Sequence, residues 1–432
     1  MSVLVRYGNS AELTISLDEH QLIGVCGGEL HRSLNATPEP SSPFIDIEAT
    51  AFAEALQAAL DQPLEFPDLS QTVVAGDQVT IVVEPNVPRA GDIAAAIAER
   101  LIAGGVVPEA ITVLHADGFA RAPIRVRASA ELVGVGAKAT PSKATASTVT
   151  LRTELHDPTD RGKLSFLANT RSGRPVYLNR LVTDADMVVS IGQHLGPDAW
   201  TYRGVFGGIY PTFSDTETQQ RYRNAHLIDT DDEAFAKSQQ EIELVGWQCG
   251  LQATVRVVPG PNGKAAIVAG ETRAVTRRAT EIWNAAWQCR FEERADLVVA
   301  ALSGQANQTW QQVGRALAAA LAVVEEGGAI ALCTELAEPP GKAIEALQKI
   351  EDRDTAVAEI RKARPLDAFP ALLLDRAQRR ARVYLLSNLE PSVVEELGMA
   401  RIEHADEVAR LAERRRSCIV LCHAQNAAPS LA

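Results

Sequence analysis

No stretch of the 432 residues is both apolar and long enough to cross a bilayer, and the opening MSVLVRYGNS lacks the basic-then-apolar order of a secretion signal. A surplus of positive charge is also missing. The 42 Lys and Arg face 55 Asp and Glu, a formal charge of −13, which argues against nucleic acid and anionic membrane surfaces as partners. Arg379-Arg380 and Arg414-Arg415-Arg416 then read as solvated helix faces. The six cysteines are dispersed and contain no Cys-x-x-Cys pair. Cys418 and Cys422 sit in an apolar run, where thiols usually act as small hydrophobes. The expectation is a reduced, cytoplasmic protein.

Common catalytic signatures are absent too. There is no G-x-G-x-x-G after the first strand, no G-x-x-x-x-G-K-[ST] loop and no G-x-S-x-G elbow. The eight histidines form no H-x-x-x-H ligand pair, so mononuclear zinc hydrolysis has no support.

What is present is α/β alternation on a chain too long for one ordinary core. Residues 1–25 alternate apolar and polar, the pattern of a half-buried hairpin. The run Val79–Val83, a helix from about Asp92 to Ala103 stopped by Gly104-Gly105, and the run Ile111–His115 predict a βαβ unit with parallel strands. Residues 137–150 are small, polar and of low complexity, and read as a loop or insertion. Two apolar runs around Pro259–Gly263 predict a hairpin. A helix over Thr272–Trp287 carries Trp283 and Trp287 four residues apart, a spacing that favours packing over a cofactor site. From Asp296 the alternation restarts as a smaller three-layer unit. The expected organisation is two α/β domains with mainly parallel sheets facing each other across a cleft: residues 1–271, a connecting helix over 272–293, and residues 294–432.

The chain turns on Thr183–His226. Met187–Ile191 reads as a buried strand that runs into Gly192 and a loop holding His194, Asp198, Trp200, Tyr202 and Arg203, followed by Gly207-Gly208 and His226. Open α/β sheets place ligands at such strand ends, and paired glycines let backbone N–H groups approach an anion. Arg89 and Arg121 follow neighbouring parallel strands, and each is either a carboxylate or phosphate ligand or a surface ion-pair partner. Trp310 and Gln311 open a helix of the second unit where they would face the cleft.

These parts, in this order, resemble the nickel-pincer-nucleotide-dependent lactate racemase family. The resemblance runs through Tyr7-Gly8, Arg89, Gly118 and Arg121, His156-Asp157 and Gly173-x-Pro175-Val176-x-x-Asn179-Arg180. It continues through Asp184-x-Asp186, Gly192, Gly207-Gly208, His226 and Trp310-Gln311. It implies two α/β domains around a cleft and a nickel-pincer nucleotide, with nickel bound by one His and the cofactor usually tethered by a Lys. Two further His act as acid and base on a hydroxy-acid substrate.

Carried over by position, the resemblance puts the metal ligand at His226 and the tether at Tyr210, sixteen residues earlier, where a tyrosine replaces the lysine. The two catalytic His positions fall on Ala120 and Trp200. Asn86 stands where the family has an acidic residue, and a family Lys falls on Gly314, beside Arg315. Replacement acid/base groups would be His194, Asp198, Tyr202, Tyr210 or His115, with His194, Tyr202 and Tyr210 taken as catalytic candidates. Asn86, Arg89, Gly207, Gly208, Trp310 and Gln311 become candidate cofactor contacts, and Arg121 and Trp200 candidate substrate contacts. The expected function is a divergent 2-hydroxy acid racemase or epimerase holding a noncovalent nickel-pincer nucleotide. The alternative is a catalytically inactive relative that binds a nucleotide or small acid.

Overall fold

A computed structural model describes residues 1–27, 43–47, 50–116, 123–128, 147–196, 204–225, 232–304, 307–350 and 352–432. Arg121, Trp200, Tyr202 and His226, together with Ala120 and Asp198, lie outside the described residues.

The fold is the expected α/β arrangement with parallel-rich sheets. The first sheet has seven strands in the order Ile45–Asp46, Lys264–Glu271, Leu251–Pro259, Met187–Gln193, Val79–Val83, Ile111–His115 and Arg152–Leu155. Val79–Val83 and Ile111–His115 are buried along their whole length, which is why they read as unbroken apolar runs. They pair in parallel, as the βαβ spacing requires. The intervening helix Ala90–Ala103 buries Ile93, Ile97 and Leu101 in the same core as Ile81 and Val113. The expected hairpin is also there: Leu251–Pro259 and Lys264–Glu271 pair antiparallel across the Pro261–Gly263 turn. At the end of the low-complexity segment, Ser147–Thr150 forms a strand that pairs antiparallel with Arg125–Ala128.

The second sheet has six strands, all parallel, in the order Ala400–Ile402, Arg382–Leu386, Val324–Cys333, Ala295–Ala301, Cys418–Leu421 and Leu22–Cys26. Helices Trp310–Val323 and Ala368–Arg380 cover one face. The hairpin Ser2–Tyr7/Ala11–Ser16 and helix Ala405–Glu413 cover the other. The first 27 residues therefore pack with the second sheet, although they precede the first sheet in sequence.

Helix Thr272–Trp287 joins the two units. Its first turn is capped by the Glu271 carboxylate, which accepts from the N–H groups of Arg273 and Ala274 at 2.8 Å. Trp287 donates its indole N–H to the Pro259 carbonyl at 2.8 Å, and Trp283 and Trp287 both pack into an apolar cluster, as their spacing predicted.

The cysteine expectation is corrected at one pair. Cys26 and Cys289, with Cα atoms 5.9 Å apart, form a buried disulfide. It joins residues 263 positions apart, so no local spacing announced it. The other four cysteines are free thiols, and Cys333, Cys418 and Cys422 are buried as small hydrophobes.

Candidate functional site

The carboxyl end of the first sheet is built on an internal ion pair. Glu84 follows strand Val79–Val83, and Arg256 lies within Leu251–Pro259, with Met187–Gln193 between them. The Arg256 guanidinium pairs with Glu84, and its side chain is 0% exposed. It also donates from Nε to Thr254 Oγ1 at 3.1 Å, and from Nη2 to Ser190 Oγ and the Val205 carbonyl, each at 2.9 Å. The bonds to Glu84, Ser190 and Thr254 thus join three neighbouring strands, and the bond to Val205 ties them to the turn Val205–Gly208. Burial pushes the Glu84 carboxyl up, with Arg256 pulling the other way.

Gly207 and Gly208 sit in that turn and are buried. A Cβ on Gly208 would overlap the Glu84 carboxylate, and one on Gly192 would overlap both Glu84 and Arg256. The glycines do allow close approach to an anion, but the anion Gly208 approaches is the protein's own Glu84.

His194 is buried. Its backbone N–H donates to the Val257 carbonyl at 2.9 Å, and its Nε2 lies 3.2 Å from Thr280 Oγ1. Thr280 spends its own hydroxyl proton on the Thr276 carbonyl, so the Nε2–H of His194 is the donor. Burial, with the Arg256 charge behind it, pulls the imidazole down to about 3, which keeps it neutral at ordinary pH.

Tyr210 is fully buried in the first unit. Its ring meets Tyr222 edge-on at 5.0 Å, and its hydroxyl accepts from Arg221 at 3.2 Å. Burial raises its pKa, so the phenol stays protonated. Tyr222 in turn donates to Glu241.

Asn86 and Arg89 both have positive φ, 60° and 52°, at the end of the first βαβ strand. The Arg89 guanidinium is taken up locally. It binds Asp92 at 2.7 Å and the Ile47 carbonyl at 3.2 Å, and it stacks over the Phe52 ring at 4.7 Å.

His156 and Asn179, which sequence reasoning gave no role of their own, form a buried relay. His156 Nε2 donates to the Ser214 carbonyl at 2.9 Å, and Asn179 donates from Nδ2 to His156 Nδ1 at 3.1 Å. Asn179 Oδ1 accepts from the Leu181 N–H at 3.0 Å. This relay anchors the far end of the segment that begins at Gly204. Glu84 and Arg256 were also missed. The available signal was an opposite charge in each of two otherwise apolar strands, VTIVVE and TVRVV.

Across from these elements, Trp310 and Gln311 open helix Trp310–Val323. Trp310 donates its backbone N–H to the Glu338 carboxylate at 2.6 Å and its indole N–H to the Glu338 carbonyl at 2.9 Å. Gln311 donates to the Leu366 carbonyl at 2.9 Å, and its Oε1 has no partner among the described residues. Gln311, Glu338 and Lys342 of the second unit line a cleft of about 870 Å³ together with Thr216 and Gln220 of the first. The structure thus brings Trp310 and Gln311 to an inter-unit cleft, gathers Gly192 and Gly208 around Glu84, and leaves His194, Tyr210 and Arg89 engaged in contacts within the protein.

Residues 39–233 match the family model described as the lactate racemase N-terminal domain. No curated protein matches the chain. Among solved structures, the chain is similar to the lactate racemase apoprotein from Thermoanaerobacterium thermosaccharolyticum, at 15% identity and a TM-score of 0.71, covering 99% of this chain and 100% of that one. It is also similar to a structural-genomics protein from Thermotoga maritima, at 14% identity and a TM-score of 0.58, covering 84% of this chain and 96% of that one. At these identities the likeness is one of fold.

Proposed function

We propose that this chain, whose residues 39–233 belong to the lactate racemase N-terminal domain family, binds a small 2-hydroxy acid in the cleft between its two α/β units. The observation that carries this reading is the unpartnered Oε1 of Gln311 in the wall of that cleft. A buried acceptor without a donor is unfavourable by about 1–3 kcal/mol, which a ligand hydroxyl would relieve. Lys342, which makes no ion pair with a described residue, lines the same cleft and offers a cation to a carboxylate.

A nickel-pincer nucleotide tethered through a side-chain amine does not fit these residues. Tyr210 at the tether position has no amine, and its hydroxyl points into the Arg221 and Tyr222 cluster. The space beside Gly208 is filled by Glu84, and Arg89 is committed to Asp92 and Ile47. Neither His194, which burial makes a weak base with a pKa of about 3, nor Tyr210, held protonated, is suited to take a proton from a substrate hydroxyl. Binding without racemisation is therefore the first reading.

A second reading keeps catalysis: a 2-hydroxy acid racemase or epimerase with a noncovalent nickel-pincer nucleotide. It is favoured by His226, which keeps the sixteen-residue spacing from Tyr210.

The test uses full-length protein made in cells that also produce the nickel-pincer cofactor. L-Lactate and longer 2-hydroxy acids are titrated calorimetrically into the native chain and Gln311→Leu, and optical purity and nickel content are followed. The binding reading expects saturable heat, weakened about tenfold by Gln311→Leu, with optical purity kept. Stoichiometric nickel with loss of optical purity, both abolished by His226→Ala, would establish the racemase reading instead. No heat with any hydroxy acid overturns the cleft assignment.

A further inference from the structure

A second cavity, of about 260 Å³, lies where the two units and their connecting helix meet. Leu195 and Gly196 reach it from the first unit, Trp283 from the connecting helix, and Arg315 and Ala318 from helix Trp310–Val323. The C-terminal segment closes it through Gln425 and its neighbours as far as Pro429. None of its lining residues lines the Gln311 cleft.

Three polar side chains on this wall lack partners among the described residues: Trp283 at Nε1, Arg315 at Nε and Gln425 at Oε1. Trp283 is 4% exposed and Gln425 is 9% exposed. Gln425, one of the lining residues, is held from its other side, donating from Nε2 to the Ser303 carbonyl at 2.8 Å, which leaves the buried Oε1 without a donor among the described residues. The Trp283 ring occupies the place a Cβ on Gly196 would take, which sets the indole against the cavity wall. Arg315 makes no ion pair or hydrogen bond with a described residue, and burial pulls its guanidinium down to about 10, so it still carries its charge at neutral pH. A sequestered cation and an indole N–H ask for an anionic acceptor, while the Gln425 oxygen asks for a donor. The remaining wall is alanine, leucine, glycine and proline, with Asn426 as one further polar residue. At ~30 Å³ per water, the space equals about nine waters.

We propose that this cavity is a second ligand site, separate from the inter-unit cleft, that takes a small monocarboxylate carrying one hydrogen-bond donor. The carboxylate sits at Arg315 and Trp283, the donor meets Gln425, and the short carbon body rests on the apolar wall. Because the wall comes from both units and the helix between them, an occupant binds all three and stabilises their present arrangement.

The test reads the indole N–H resonances of ¹⁵N-labelled full-length protein, which holds five tryptophans, with the Trp283 signal assigned through Trp283→Phe. Sodium lactate and its methyl ester are titrated in turn. The expected result is a saturable downfield shift of the Trp283 signal with lactate and none with the ester. Arg315→Met weakens this response about tenfold, whereas Gln311→Leu leaves it unchanged. That last arm separates this site from the cleft, whose binding can fail while this one persists. A Trp283 signal unmoved by lactate in the native chain overturns the proposal, whatever the variants do. So does an undiminished response in Arg315→Met.

Discussion

Arg256 reaches Glu84 by crossing over Gly192. The two charges belong to strands separated by Met187–Gln193, and the residue of that strand paired with Arg256 is Gly192. A side chain there would stand in the guanidinium's path. With Arg256 0% and Glu84 15% exposed, the pair is shielded from water. Removing one partner of such a pair strands the other charge, a loss of about 3–5 kcal/mol, while replacing both with neutral groups is far milder. Arg256→Met should therefore lower the urea midpoint sharply, and Glu84→Gln/Arg256→Met should recover most of that loss. A double variant as unstable as the single would show that the hydrogen bonds to Ser190, Thr254 and Val205 matter more than charge.

Gly192 and Gly208 are expected to tolerate no side chain. A methyl group at either position must displace the ion pair, and overpacking of this kind is unfavourable by about 1–3 kcal/mol. Gly192→Ala and Gly208→Ala should each lower the thermal midpoint without altering the far-ultraviolet spectrum. An unchanged midpoint for Gly208→Ala would mean that the turn Val205–Gly208 can move away from Glu84.

His194 makes stability depend on acid. Its folded-state pKa is depressed to about 3, below the ordinary 6.5, so below that ordinary value the unfolded chain gains a proton that the folded chain refuses. Stability is complete above pH 6.5 and falls as pH drops towards 3. From pH 7 to pH 4.5 the loss is about 3 kcal/mol for this one group. His423, buried and depressed to about 4, acts in the same direction. Denaturation of the native chain and His194→Gln at both pH values should show the smaller acid loss in the variant. Equal losses would assign the effect elsewhere.

The elements that sequence revealed are those fixed by neighbours. The βαβ unit from Val79 to His115 and the hairpin from Leu251 to Glu271 each rest on apolar runs punctuated by Gly or Pro. What stayed hidden depends on distant pairing. Strand Leu22–Cys26 is short and apolar, and nothing in its pattern tells that it docks beside Cys418–Leu421. The Glu84–Arg256 pair spans 172 positions and the disulfide 263. The paired glycines were legible as a place of close approach to an anion. Which anion depended on the strand order, which no local window contains.

The His156–Asn179 contact gives the most direct test of how the Gly204–Ser214 segment is held. Ser214 offers His156 Nε2 only a carbonyl oxygen, so Nε2 must carry the proton, and Nδ1 must then accept from Asn179. Burial lowers the imidazole pKa against the pull of the Ser214 carbonyl and the Asp157 charge. Nitrogen-detected resonances of His156 should report the Nε2–H tautomer at neutral pH, with a titration midpoint below the ordinary value of about 6.5. Asn179→Leu removes both the donor to His156 and the acceptor for the Leu181 N–H, leaving buried groups unpaired at about 1–3 kcal/mol each. The variant should lose stability and release the tautomer preference. If Asn179→Leu keeps the native midpoint while His156 still shows the Nε2–H form, the Ser214 carbonyl alone orients the ring and Asn179 serves only to cap the short helix Arg180–Thr183.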